Sequence, residues 1–265
     1  MQLFPALAQR YSEEHQSAGE AQRLAQEIAF GPIVFQVSRL MVKFGILEHL
    51  NNSENGMTLN ETAQAAGLSR YAAQVLLEAS LSIGTVLLRD DRFYISKAGY
   101  FLLRDKMARV NMDFVHEICY QGMFDLEAAL LEGRSAGLKA LGEWPTIYEG
   151  LSQLEPEARR SWLAFDHYYS DNAFDEALKV VFSRPIKRLL DVGGNTGRWA
   201  LRCVAHHPEV EITIMDLPQQ LALAQQMTLP DYFIQGLRPH LFRQRYSSHN
   251  ISYDFVLFPS YTSPW

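Results

Sequence analysis

Apolar residues recur at three- and four-residue spacing through most of the first 180 positions, the mark of helices with one buried face. Val34, Val37, Leu40, Met41, Phe44, Ile46 and Leu47 predict one helix over residues 33–50. The Ala-rich stretch before it, residues 4–30, also reads as helical, and Gly31-Pro32 separates the two. After a loop at 51–56, short helices are predicted over 59–66 and 71–83. Gly67-Leu68-Ser69 forms the turn between them, with Ser69 as N-cap and Gly84 as the stop. Ala73, Val75, Leu76, Leu77 and Leu81 turn inward from the second of these. Two short apolar runs, 86–88 and 93–95, flank Arg89-Asp90-Asp91-Arg92 and predict a hairpin with a charged tip. Helix, turn, helix and hairpin in that order make a winged-helix arrangement.

A long helix rich in Met, Phe and Tyr is expected over 110–132, then a loop over 133–143 and a short element from Trp144. Pro156 opens a helix reaching Phe182 that carries Trp162, Phe165, Tyr168, Tyr169, Phe174, Leu178 and Val181. That aromatic stripe serves either a core or the roof of a ligand pocket. The period then changes. Residues 187–192 form an apolar strand, Gly193-Gly194 a turn and 196–205 a helix. A second strand over 210–215 is closed by Asp216. This is the opening of a nucleotide-type βαβ unit.

Composition narrows the functional classes. With 48% hydrophobic and 20% charged residues, the 265-residue chain reads as soluble and globular. A formal charge of −6 without a basic run argues against nucleic acid as the main partner. Residues 58–104 hold five Lys or Arg against four acids, and the second helix of the winged-helix pattern offers only Arg70, too little to grip phosphates. Cys119 and Cys203 lie in no paired motif, so no metal site is expected. No signal peptide and no membrane span is read, which points to the cytoplasm.

The turn restricts the ligand. A dinucleotide fingerprint starting at Gly193 needs Gly at 195 and usually at 198, where Asn195 and Arg198 stand. No Gly-Lys-Ser/Thr phosphate loop exists either. Asp191, just before the turn, repels a pyrophosphate but suits a cationic ligand. Asp216, at the end of the second strand, can accept from two ribose hydroxyls. The combination fits S-adenosylmethionine.

At these residues the chain resembles the class I S-adenosylmethionine-dependent methyltransferases, specifically the small-molecule O-methyltransferase family of the caffeate and hydroxyindole type. The resemblance lies in Leu189–Gly197, in Ile214-Met215-Asp216-Leu217-Pro218 and in Phe165–Asp171, and runs from about residue 30 to about residue 227. It implies an N-terminal winged-helix dimerisation domain (1–110), a helical linker and substrate-pocket region (111–183) and a partial α/β Rossmann-like cofactor domain (184–265). It implies a homodimer and a small aromatic hydroxyl acceptor. Asp216 would bind the ribose, Asp191, Gly193 and Gly194 the methionine end, Leu217 the adenine region, and Tyr169 the junction with the acceptor. Asn195 stands where many members have Gly, and Asn tolerates left-handed backbone.

From Leu229 the chain loses helical and strand periodicity, apart from one possible strand at 252–258. A frameshift or early stop near 228–235 is the expectation, with a shortened binding or dimerisation homologue as the alternative. A winged-helix transcription regulator stands behind both. No catalytic base is assigned. His206, His207, His240 and His249 lie outside the family's catalytic context.

Overall fold

The computed structural model describes residues 11–227, 238–241 and 255–257, the last two segments as strands. The chain divides into two compact units, Met1–Arg109 and Val110–Trp265.

The first unit is helical apart from one hairpin. Its helices are α1 (Ala18–Ala29), α2 (Gly31–Lys43), α3 (Ile46–Asn51), α4 (Leu59–Ala65), α5 (Arg70–Ile83) and α6 (Lys97–Arg104), with β1 (Val86–Arg89) and β2 (Arg92–Ile95) between α5 and α6. Its core gathers Met41, Ile46, Leu47, Leu50, Leu76, Leu77, Val86 and Phe93. The start signals work as their chemistry demands. Ser69 accepts from Ala72 N at the head of α5, and Thr58 with Glu61 closes a capping box on α4. Asp90 and Asp91 both take positive φ, 48° and 58°, which turns the hairpin in two residues. The single helix expected over 33–50 is instead α2 and α3, because Gly45 takes φ 71° and breaks the backbone hydrogen-bond ladder between them. Of the helix expected over 4–30, Ala18–Ala29 is present, and residues 1–10 lie outside the described residues.

The second unit packs helices beside a parallel sheet. β3 (Arg188–Val192), β4 (Glu211–Asp216), β5 (Arg238–Leu241) and β6 (Phe255–Leu257) lie in the order β5-β4-β3-β6. All the pairs are parallel, with Leu190 opposite Thr213 and Val256. A strand with neighbours on both sides reads as an apolar run, as Leu189-Leu190 and Ile212–Ile214 do. Leu189, Ile212, Ile214, Trp199, Cys203 and Val181 fill the core behind it. Leu189 is fully buried at the sheet's centre. Leu189→Ala should therefore cost about 3 kcal/mol, read as a lower urea midpoint with unchanged slope.

Two long helices expected here are broken. Residues 106–132 form α7 (Lys106–Phe114), a π turn (Val115–Cys119), a 3-10 turn (Gly122–Asp125) and α8 (Leu126–Glu132). Gly122 meets Gly137 backbone to backbone: a Cβ on Gly122 would come within 2.9 Å of the Gly137 carbonyl oxygen, so the close approach requires Gly there. The stretch expected as a bare loop at 133–143 supplies that partner through a 3-10 turn, Ala136–Ala140. The element after Trp144 is the short helix α9 (Ile147–Gly150). The helix expected over 156–182 is α10 (Pro156–Asp171) followed by α11 (Phe174–Val181), with the break at Asn172-Ala173. After the Gly-rich turn come α12 (Arg198–His206) and, beyond β4, α13 (Pro218–Met227). Arg238–Leu241 is a strand where no element was expected, and the expected strand at 252–258 appears as Phe255–Leu257. Residues 228–237, where a frameshift was expected to begin, lie outside the described residues.

Candidate functional site

β3 ends at Val192 and delivers Gly193-Gly194-Asn195-Thr196-Gly197 to the carboxyl edge of the sheet, where α12 begins. The turn needs left-handed backbone at three of these positions, Gly193 (φ 76°), Asn195 (φ 49°) and Gly197 (φ 80°). Asn is the residue other than Gly that takes this conformation at least cost, so Asn195 is accommodated as the sequence suggests. Gly194 is required for space. A Cβ there would sit 2.6 Å from Asp191 Oδ2 and 2.7 Å from Ile214 Cγ2.

A cleft of about 270 Å3 opens above this turn. Asp191, Gly193, Gly194, Asn195, Thr196 and Arg198 form its floor and one wall, and α10 and α11 supply the other through Asp166, His167, Tyr169, Ser170, Phe174 and Ala177. Four of the six residues singled out from the sequence, Tyr169, Asp191, Gly193 and Gly194, thus line one cleft. Asp216 is tied to its rim: it accepts from Asn195 N through Oδ2 at 2.7 Å and from Leu217 N through Oδ1 at 2.7 Å. Leu217 serves through its backbone in this way, and its side chain is not part of the cleft lining.

The electrostatics of the two acids differ. Asp191 is 2% exposed in the middle of the sheet, and its Oδ2 has no hydrogen-bond partner among the described residues. Burial, and secondarily the charge of Asp216, pushes its carboxyl up to about 7. Asp216 is also raised by burial, but its two backbone hydrogen bonds pull the other way. Burial and the nearby Arg198 lower the His167 imidazole, which keeps it neutral beside Thr196 Oγ1 at 3.2 Å. Among the described residues no group of three His, Cys, Asp or Glu side chains is placed to hold a metal ion.

The aromatic stripe is divided between a packed cluster and the cleft. Phe165 stacks on Phe114 with centroids 3.9 Å apart, and Trp162 packs against Phe114 and Tyr148, so this part is a half-buried aromatic cluster. Tyr169 and Phe174 face the cleft, and the Tyr169 hydroxyl donates to Asn111 Oδ1 at 2.9 Å. Sequence reasoning passed over the polar edge of α10. Asp166, His167, Ser170 and Asp171 all belong to it, and the signal was present as polar residues at i, i+1, i+4 and i+5 inside an aromatic helix.

Comparison with known proteins decides the family. The model of a Dimerisation2-like domain matches residues 22–93, and that of an O-methyltransferase domain matches residues 107–238. The chain belongs to the O-methyltransferase family. The motifs that carried the resemblance, at Phe165–Asp171, Leu189–Gly197 and Ile214–Pro218, all fall inside the second matched region. Relatives of the chain include the demethylspheroidene O-methyltransferase of Rhodobacter capsulatus, 27% identical over 75% of the chain and 49% of that protein. The L-tyrosine C(3)-methyltransferase of Streptomyces lavendulae is 23% identical over 75% of the chain and 55% of that protein. The chain spans about half the length of these curated relatives. Among solved structures, the S-adenosylmethionine-dependent methyltransferase SibL is similar with a TM-score of 0.64 and 24% identity, over 90% of this chain and 71% of that one. Human N-acetylserotonin methyltransferase in complex with SAM is similar with a TM-score of 0.54 and 20% identity, over 88% of this chain and 67% of that one. These likenesses establish the methyltransferase fold.

Proposed function

We propose that this chain binds S-adenosylmethionine in the cleft over the Gly193–Gly197 turn and belongs to an enzyme that methylates a small aromatic hydroxyl compound. The observation that carries the reading is Asp216, whose two carboxylate oxygens are each fixed by a backbone N–H at the cleft's rim. A carboxylate held in this way keeps further lone pairs for a vicinal diol. The cleft fits the rest of such a ligand. Gly194 leaves bare backbone where any side chain would collide with Asp191, and the buried unpartnered Oδ2 of Asp191 wants a cationic donor.

In this reading Asp216 holds the ribose, while Asp191, Gly193 and Gly194 hold the methionine end. Leu217 lies beside the adenine, and Tyr169 stands where cofactor and acceptor meet. The bound cofactor supplies an electrophilic methyl group on a sulfonium. The chain's own work is to bind and orient, since proximity accounts for much of such a transfer. Phe174, Tyr169 and the aromatic cluster beside them offer flat apolar surface suited to an aromatic ring. Relatives named for aromatic acceptors point the same way, among them the acetylserotonin O-methyltransferases and a 3-hydroxy-5-methyl-1-naphthoate 3-O-methyltransferase of Streptomyces sahachiroi. The finer architecture goes with the reading: a winged-helix dimerisation module (1–110), a helical pocket region (111–183) and a Rossmann-like cofactor domain (184–265). Transfer of labelled methyl from S-adenosylmethionine to a panel of phenols tests it. Product with any phenol supports the activity, and none with any of them, in a protein that binds the cofactor, refutes it for this chain.

The chain works as a homodimer in the cytoplasm. Free Cys119 and Cys203 suit a reducing compartment, and no described helix is long and apolar enough to cross a membrane. Helix α1 buries none of its residues, although Leu24 and Ile28 share one face and Ile28 is 70% exposed. An apolar helix face of this kind needs a cover, and α1 from Gln22 onward, Leu24 and Ile28 included, falls in the matched dimerisation-type region. Ile28→Lys is expected to shift the mass seen by light scattering from dimer towards monomer.

A further inference from the structure

α10 grips the Gly-rich turn by side chains. Asn195 Nδ2 donates to Asp166 Oδ2 at 2.6 Å, His167 Nε2 meets Thr196 Oγ1 at 3.2 Å, and Arg198 donates to Asp171 Oδ2 at 2.6 Å. The first of these contacts continues inward, because the same Asn195 donates its backbone N–H to Asp216 Oδ2. Asp166 on α10, Asn195 in the turn and Asp216 at the end of β4 therefore form one chain of hydrogen bonds across the cleft's rim. A carboxylate offers only acceptors, so Asp166 fixes which way the Asn195 amide faces. The amide in turn holds the left-handed residue that aims its N–H at Asp216.

We propose that Asp166 and Asn195 are positioning residues: together they brace the turn so that the Asp216 carboxylate is already set for its ligand before the ligand arrives. A Gly at this position would give the same backbone with no link to α10. Asn thus accepts left-handed backbone, at some cost, in exchange for the tie to Asp166. Preorganisation of this kind strengthens binding because less ordering remains to be done on association. The inference rests on the reading of the cleft as an S-adenosylmethionine site.

The test measures affinity for S-adenosylhomocysteine by calorimetry in the full chain and three variants. Asn195→Gly keeps the backbone N–H and relaxes the positive φ, so the protein should fold and melt no lower than the original. Its affinity should still fall about tenfold, the scale of one hydrogen bond to a charged group. Asn195→Asp sets a second carboxylate against Asp166 and should weaken binding further. Adding Asp166→Asn to it restores a donor–acceptor pair and should recover most of that loss, a rescue that simple loosening of the fold would not give. Binding by Asn195→Gly as tight as in the original, or tighter, would overturn the inference, as would failure of the second substitution to rescue. If the original chain shows no binding at millimolar ligand, the cofactor reading itself fails. Amide exchange then judges the brace: faster exchange at residues 194–197 in Asn195→Gly supports it, and unchanged exchange overturns it.

Discussion

Replacing Asp216 by Ala should weaken S-adenosylmethionine binding by at least about a hundredfold while leaving the fold intact. Two hydrogen bonds from ribose hydroxyls to a carboxylate, at about 1.5 kcal/mol each or more, account for that factor. The substitution also deprives the Asn195 and Leu217 N–H groups of their shared acceptor. The loss should therefore exceed that of Asp216→Asn, which keeps an oxygen for one of them. A further consequence separates local from global damage. The charge of Asp216 is one of the two causes that raise the Asp191 carboxyl, so in Asp216→Ala the Asp191 titration should move down in pH. A variant that loses binding because it has unfolded would instead show Asp191 titrating near the ordinary carboxylate value. Carboxyl-carbon NMR distinguishes the two.

Asp191→Asn should have opposite effects on stability and on binding. The carboxyl of Asp191 is 2% exposed and raised to about 7, chiefly by burial and then by Asp216. Below about pH 4 the group is protonated in both folded and unfolded chains, and it contributes nothing to the pH dependence of folding. Between about 4 and 7 the folded chain holds a proton that the unfolded chain has released, so stability falls as pH rises. Above 7 the folded protein carries a buried carboxylate with no partner for Oδ2. An amide of the same shape does not ionise. Asp191→Asn should therefore melt several degrees higher than the original at pH 8, with the gap closing as pH is lowered towards 5. The same change should weaken a cationic ligand, and more at pH 8 than at pH 6, where the original is itself largely protonated. Melting curves that stay parallel across this range would contradict the account of Asp191.

Much of this was legible in the sequence, because short-range chemistry decided it. Caps and stops worked through local chemistry, as at Ser69, whose hydroxyl accepts from Ala72 N, and at Gly84, which takes φ 85°. The strand-turn-helix of the cofactor unit could be read because an apolar run, a Gly pair and two acids each have a local reason. The long helices could not be read correctly. The break at Gly45 depends on left-handed backbone, and at Gly122 the chain meets Gly137 fifteen residues on, while the apolar periodicity runs through both unchanged. The site shows the same division. Asp191, Gly193, Gly194 and Asp216 announce themselves by spacing. Asp166 and His167 acquire their role only when α10 is laid against residues 195 and 196, some 29 positions later. Their spacing within α10 marks a polar edge, but nothing local to it names the partner.

One titration of the purified chain with S-adenosylmethionine by calorimetry, repeated with Asp216→Ala, tests the cleft most directly. The expected result is saturable binding at one site per chain with micromolar affinity, tighter at pH 8 than at pH 6, and no measurable heat of binding from the variant. A chain that gives no binding at millimolar cofactor, or a variant that binds as well as the original, would contradict the assignment of this cleft.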